Sequence, residues 1–169
     1  SFGDGIAPDN YRGANAPVDY PHLWDMWTFD WVQWNASAKQ PMARNIGEAL
    51  GVGATLNFFD SHGQPLQGDA RYPSSVRVHD LHLIEETLQR LKPPVWPETL
   101  FGQIDRPLAA KGRALFAQNC AACHVPPVKD ENGRQVQQLR VIPLEVIGTD
   151  PGAANNIADH RFDLTALQW

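Results

Sequence analysis

The chain of 169 residues holds only two cysteines, and they stand three positions apart with a histidine directly behind them: Cys120-Ala121-Ala122-Cys123-His124. One close pair rules out a disulfide framework as a fold-stabilising device. Two thiols one helical turn apart can each add to one of the two vinyl groups on a porphyrin edge. The next residue is then placed beneath the macrocycle, with an imidazole nitrogen facing iron. The pattern C-x-x-C-H therefore reads as c-type haem attachment. It predicts one covalent haem c, held through Cys120 and Cys123, with His124 as an axial iron ligand. Thioethers hold the group permanently, so the iron ligands need not supply all the affinity.

Two other chemistries use similar residues. A dithiol redox motif of the C-x-x-C type needs a strand before it and a helix after it, and here a helical pattern comes before. A zinc site needs a fourth ligand and commonly a second ligand pair, and only scattered histidines are available. Both remain the alternatives to haem.

Charge and hydropathy narrow the function classes. The net charge is −5, which lacks the basic footprint of a nucleic-acid partner. Hydrophobic residues make up 43%, so the composition is that of a folding chain. No apolar run approaches the roughly 18 residues of a membrane span. Ser1-Phe2-Gly3-Asp4-Gly5 has neither a basic end nor an apolar stretch, so an export signal is expected to lie outside this sequence. From Asp105 to Arg140, six basic residues (Arg106, Lys111, Arg113, Lys129, Arg134, Arg140) face three acids (Asp105, Asp130, Glu131). A basic collar around a haem edge would steer an acidic redox partner; an ordinary solvated surface is the plainer explanation.

Residues 1–21 are rich in Gly, Pro, Asn and Asp without periodicity and read as an irregular arm. Trp24, Trp27, Trp31 and Trp34 then fall at steps of three, four and three, which would put four indoles on one face of a helix. Strand or loop is the alternative, because no clear cap precedes them. Residues 41–50 predict a short helix between Pro41 and Gly51, and 51–73 a loop. Leu81, Ile84, Leu88 and Leu91 mark an amphipathic helix over 80–92, with Asp80 as N-cap and Pro93-Pro94 ending it. A further helix over 107–119 starts from Asp105 and Pro107 and runs into Cys120. Its Gly112 costs about 1 kcal/mol relative to alanine, tolerable where another backbone comes close. Asp150-Pro151-Gly152 is a turn.

Gly112-Arg113-Ala114-Leu115-Phe116, followed by Cys120 to His124, resembles the N-terminal helix and attachment motif of class I cytochrome c domains. In that family the Gly and a large aromatic on this helix pack against the C-terminal helix. A broader resemblance covers about residues 21–160, through Pro21-His22-Leu23-Trp24, Asn45-Ile46-Gly47-Glu48-Ala49-Leu50-Gly51, Tyr72-Pro73-Ser74-Ser75-Val76 and Ile147-Gly148-Thr149-Asp150-Pro151. It is to the di-haem proteins related to bacterial cytochrome c peroxidases, within them most to the rubber oxygenase (haem dioxygenase) type. That resemblance implies a longer protein with two C-x-x-C-H motifs, whereas this chain carries one. It also implies an aromatic-lined oxygen pocket at one haem, for which Phe29 and Trp31 are the candidates, and electron transfer at the other. No residues after Trp169 supply the closing helix of the fold, which fits a fragment or a part whose remainder is a separate chain.

The sixth iron ligand is open. Class I domains commonly use a methionine downstream of the motif, but Met26 and Met42 both lie upstream. Among His22, His62, His79, His82 and His160, only His160 lies downstream; its plainer role is a loop histidine. Arg140 and Arg161 could meet haem propionates, with surface placement the default. Asp60-Ser61-His62 has triad residue types without triad spacing, and Asp25 and Asp30 do not make an acid/base pair.

These features predict a mainly α fold: an irregular, partly helical Trp-rich segment over 1–96 and a cytochrome c-like haem domain over 97–169, incomplete at its C-terminal end. The expected function is electron transfer by one c-type haem as part of a multi-haem oxidoreductase, partnered by a redox protein or a second haem domain. The alternatives are a catalytic haem protein, peroxidase-like or dioxygenase-like, with an open iron position, and an interaction fragment whose haem only organises the fold. The family resemblance implies a periplasmic or secreted bacterial protein.

Overall fold

The computed structural model describes residues 2–16, 19–33 and 35–167. The chain is mainly helical. Six α-helices are present among the described residues: α1 Pro41–Gly51, α2 Val78–Leu88, α3 Glu98–Phe101, α4 Arg106–Asn119, α5 Leu144–Ile147 and α6 Gly152–Asp159. A two-residue antiparallel ribbon, β1 Val128–Lys129 with β2 Gln135–Val136, sits between α4 and α5 and pairs Val128 with Val136.

The helices with strong local signals form where those signals stand. The Gln40 side chain accepts from the Ala43 amide, and Pro41 needs no amide partner in the first turn, so α1 starts there. Asp105 caps α4 by accepting from the Leu108 amide at 2.9 Å. In α2 the start is two residues earlier than predicted. Arg77 holds the cap position, and Asp80 lies in the first turn, where it pairs with Arg77. The helix also ends early, at Leu88, and the chain tightens through Leu91 N to Leu88 O ahead of the paired prolines. A residue preceding proline is disfavoured in helical conformation, so the α geometry stops short of Lys92.

The predicted tryptophan helix is not formed. Over residues 24–33 the regular structure is one 3₁₀ turn, Met26–Thr28. Asp25 takes φ 55°, a left-handed geometry that cannot continue an α-helix, and is fixed there by an ion pair to Lys92 at 2.5 Å. The indoles separate instead of sharing a face. Trp24 stacks on His22 with centroids 5.9 Å apart. The Lys92 ammonium lies 5.1 Å from the Trp27 ring, and that of Lys39 lies 4.7 Å from Trp31. Trp34 lies outside the described residues.

α1 and α2 pack together through a nearly enclosed polar cluster. Glu85 accepts from Arg44 at 2.8 Å and from Asn45 at 2.7 Å, with the Arg44 and Glu85 side chains 8% and 12% exposed. The N-terminal arm is irregular, as its composition implies, but it is docked. Asn10, 2% exposed, joins it to residue 163, and Gly3 lies so close to Phe162 that a Cβ would overlap the ring.

Little apolar surface is enclosed. Among the described residues only Ile6, Met26 and Leu167 are buried hydrophobics. The chain exposes 13092 Å², whereas a compact monomer of this mass exposes about 8,300 Å². Large side chains such as Leu100, Phe101 and Leu108 stand mostly in solvent.

Candidate functional site

α4 delivers the cysteine pair. The Cys120 and Ala121 amides both donate to Phe116 O, at 2.8 and 2.9 Å, so the helix closes on Cys120. The Cys120 carbonyl then accepts from the Cys123 amide at 3.1 Å and from the His124 amide at 2.8 Å. The motif is thus a single turn appended to α4. Both thiols are free and exposed. His124 is exposed too, and its imidazole makes no hydrogen bond or ion pair among the described residues.

A second segment braces this turn. Arg140 donates from Nη1 to the carbonyl of Ala122 at 2.6 Å, between the two cysteines. Gln137 donates from Nε2 to the carbonyl of Val125. Between them, the Leu139 amide donates to Asp30 Oδ1 at 3.1 Å, which ties the brace to the aromatic segment. Asp30 stands between Phe29 and Trp31, the two pocket candidates. Phe29 is half-buried with its ring edge-on to His22 at 6.2 Å, and Trp31 lies under Lys39.

The ribbon after the motif is organised by one carboxylate. Asp130 Oδ1 accepts from the amides of Asn132 at 2.9 Å and Arg134 at 2.8 Å, and Oδ2 accepts from Arg134 Nε at 2.8 Å. These bonds, led by the Arg134 amide, hold the Asp130 carboxyl below its ordinary pKa. Gly133 takes φ +74°, which closes the turn. Asp130 pairs with Arg134, so the loop is the three residues 131–133 with Gly133 in the left-handed position, not a two-residue Asn-Gly turn.

The outer face of α4 is open. Leu108 is 64% exposed, Leu115 60% and Phe116 40%, and no atom lies within 4 Å of where a Cβ on Gly112 would stand. The close backbone approach that would excuse Gly112 is not made by any described residue.

The other candidate residues are dispersed. His160 caps the C-terminal end of α6; its Nε2 lies 3.4 Å from Asn10 O and its ring stacks on Phe162 at 4.3 Å. His79 and His82 project from α2, the latter 3.5 Å from Glu86. Met26 is buried in the 3₁₀ turn. Arg161 donates to the carbonyls of Ala158 and His160. Asp60 accepts from the amides of His62 and Gln64, which makes Asp60-Ser61-His62 a turn rather than a triad.

The residue types at this turn are those that could hold a haem by two thioethers and an axial imidazole. A helix precedes the motif, and a turn and then β1 follow it, the reverse of the dithiol arrangement. Among the described residues no three His, Cys, Asp or Glu side chains gather where they could hold a metal ion. Two accessible thiols a turn apart and an unpartnered imidazole next to them suit attachment and axial ligation. Phe116 and Val128, four residues before Cys120 and four after His124, are exposed apolar side chains.

The chain is thus a mainly helical protein carrying a C-x-x-C-H turn at a helix end. No family model matches it, and no solved structure does. It is similar to two proteins of Sinorhizobium fredii. It is 41% identical to uncharacterized protein y4iJ over 93% of this chain and 29% of that protein. To uncharacterized protein y4iM it is 29% identical over 88% of this chain and 27% of that protein. The chain therefore spans under a third of the length of the curated relatives it matches. No described helix is long and apolar enough to cross a membrane.

Proposed function

We propose that the chain is a c-type haem domain that transfers electrons as part of a larger, multi-haem oxidoreductase. In this reading Cys120 and Cys123 hold one covalent haem, His124 is an axial ligand, and residues 97–169 form a cytochrome c-like unit. One observation carries the proposal: the two free thiols and the unpartnered imidazole emerge from one exposed turn at the end of α4. Bound there, the haem would supply a one-electron couple at iron. The chain's own part is to fix the turn, through Phe116 O, Cys120 O and Arg140, and to present it at the surface where a redox protein or a second haem domain can approach. Attachment of this type belongs to exported bacterial proteins, so the proposal places the protein in the periplasm or outside the cell.

The test is expression in a host able to mature c-type cytochromes. A c-type pyridine haemochrome and a mass raised by one haem support the proposal. A colourless product with the mass of the bare chain rejects it.

A second reading is a catalytic haem protein, peroxidase-like or rubber-cleaving-dioxygenase-like, with an open iron position. It is favoured by the commitment of His160 to Asn10 and Phe162, away from a ligand role. Carbon monoxide separates the two. Rapid adduct formation by the reduced protein supports the open position, and a low-spin spectrum unmoved by the gas supports electron transfer.

A further inference from the structure

We propose that Arg140 is a positioning residue for the attachment turn, and that Asp30 holds it in place. The inference rests on the haem reading and goes beyond it by assigning two residues outside the C-x-x-C-H motif. Ala122 lies between Cys120 and Cys123, so a bond to its carbonyl fixes the backbone that sets the spacing of the two thiols. Arg140 makes that bond at 2.6 Å. The bond is charge-assisted, which makes it stronger than a neutral pair. It also satisfies a carbonyl that the end of α4 would otherwise leave to solvent.

Arg140 forms no ion pair with a carboxylate among the described residues, so its charge stays uncompensated beside the turn. A fixed positive charge near a haem favours the reduced iron, which carries one positive charge fewer. The neighbouring residue, Leu139, is pinned by Asp30 at 3.1 Å. Two hydrogen bonds in series therefore run from the Phe29–Trp31 segment to the carbonyl between the cysteines. Displacing either end slackens the other.

The experiment uses the matured protein and reads the midpoint potential by redox titration, covalent haem per chain by pyridine haemochrome, and the melting temperature. Arg140→Gln keeps a neutral donor and loses the charge; Arg140→Lys keeps the charge. The expected result is a lower midpoint potential in Arg140→Gln, largely restored in Arg140→Lys, with coupling between Arg140→Gln and Asp30→Ala in a double-mutant cycle. A wild-type potential in Arg140→Gln, with only the melting temperature changed, overturns the role of Arg140. Additive effects in the cycle overturn the role of Asp30. A wild-type chain without covalent haem instead removes the functional reading, and this inference falls with it.

Discussion

Asn10 binds residue Asp163 through both ends of its side-chain amide: Oδ1 accepts from the Asp163 amide at 2.6 Å, and Nδ2 donates to the Asp163 carbonyl at 3.0 Å. Nδ2 also donates to Gly3 O at 2.8 Å. One side chain thus substitutes for a strand, joining an arm to a segment 153 residues away.

Asn10→Ala should therefore be costly. It takes the partner from the Asp163 amide and carbonyl and one of two donors from Gly3 O, which keeps the Ile6 amide, each hydrogen bond contributing on the order of 1 kcal/mol. The expected loss is about 2–3 kcal/mol of stability, measured by urea denaturation. An unchanged midpoint would mean that the clasp does not hold in solution.

The α1–α2 junction makes a second prediction. Glu85 is the acceptor for both Arg44 and Asn45, in a cluster shielded from water. Glu85→Ala strands a guanidinium that is 8% exposed. A loss of roughly 2–3 kcal/mol is expected, below the range for fully buried pairs because some water reaches the cluster. Glu85→Gln keeps an acceptor and should cost less. Equal losses in thermal unfolding would show that the carboxylate charge, not the shape or the neutral acceptor, holds the helices together.

Legibility followed the range of the interactions. α1 could be read from Pro41 and Gly51 and α4 from Asp105 and Pro107, signals that act within a few residues of the helix ends. The amphipathic face of α2 gave the helix but not its ends, since Asp80 competes for Arg77 rather than capping. The tryptophan spacing misled because a period of 3.6 describes a helix only if the backbone can follow it, and left-handed Asp25 and extended Phe29 break it on either side of one turn. The ribbon has strands of two residues, too short to show a period of two, so only Gly133 marks it in the sequence. At the candidate site, Cys120, Cys123 and His124 were visible as a local motif. The roles of Asp30 and Arg140 were not, because the Asp30–Leu139 and Arg140–Ala122 bonds span 109 and 18 residues and leave no spacing pattern.

Changing both cysteines separates folding from attachment. The thiols are exposed and hold no disulfide, so Cys120→Ala with Cys123→Ala removes no packing from the chain. The far-ultraviolet circular dichroism of the haem-free double variant should match that of the haem-free parent. Expressed with maturation machinery, the double variant should show no haem stain on a denaturing gel, while either single variant retains one thioether and some stain. Stain in the double variant would place the attachment elsewhere.

Acid should loosen the ribbon late. The folded carboxyl of Asp130 titrates below its ordinary value, chiefly because the Arg134 amide donates to it. A carboxyl with a depressed folded pKa stabilises the fold above its unfolded pKa, and that contribution is lost as pH falls through the folded value. The turn should thus persist at a pH where free aspartates are already protonated. A carbon NMR titration of the Asp130 carboxyl checks the direction. Asp130→Asn should remove this part of the acid dependence, and a midpoint at or above the ordinary aspartate value would contradict the geometry.

Gly112 offers a test of how open α4 is. A glycine inside a helix costs more backbone entropy than alanine, about 0.5–1 kcal/mol at an exposed position. A Cβ there would meet nothing within 4 Å, and its φ lies outside the left-handed region. Gly112→Ala should therefore stabilise this chain by that amount, read from thermal unfolding. The sign carries the information. If another helix or backbone covers this face in solution, through a second copy or a partner, the added methyl would collide with it. The same substitution would then destabilise, and it would do so more strongly as protein concentration rises. A gain independent of concentration means that Leu108, Gly112 and Leu115 face water in the isolated chain.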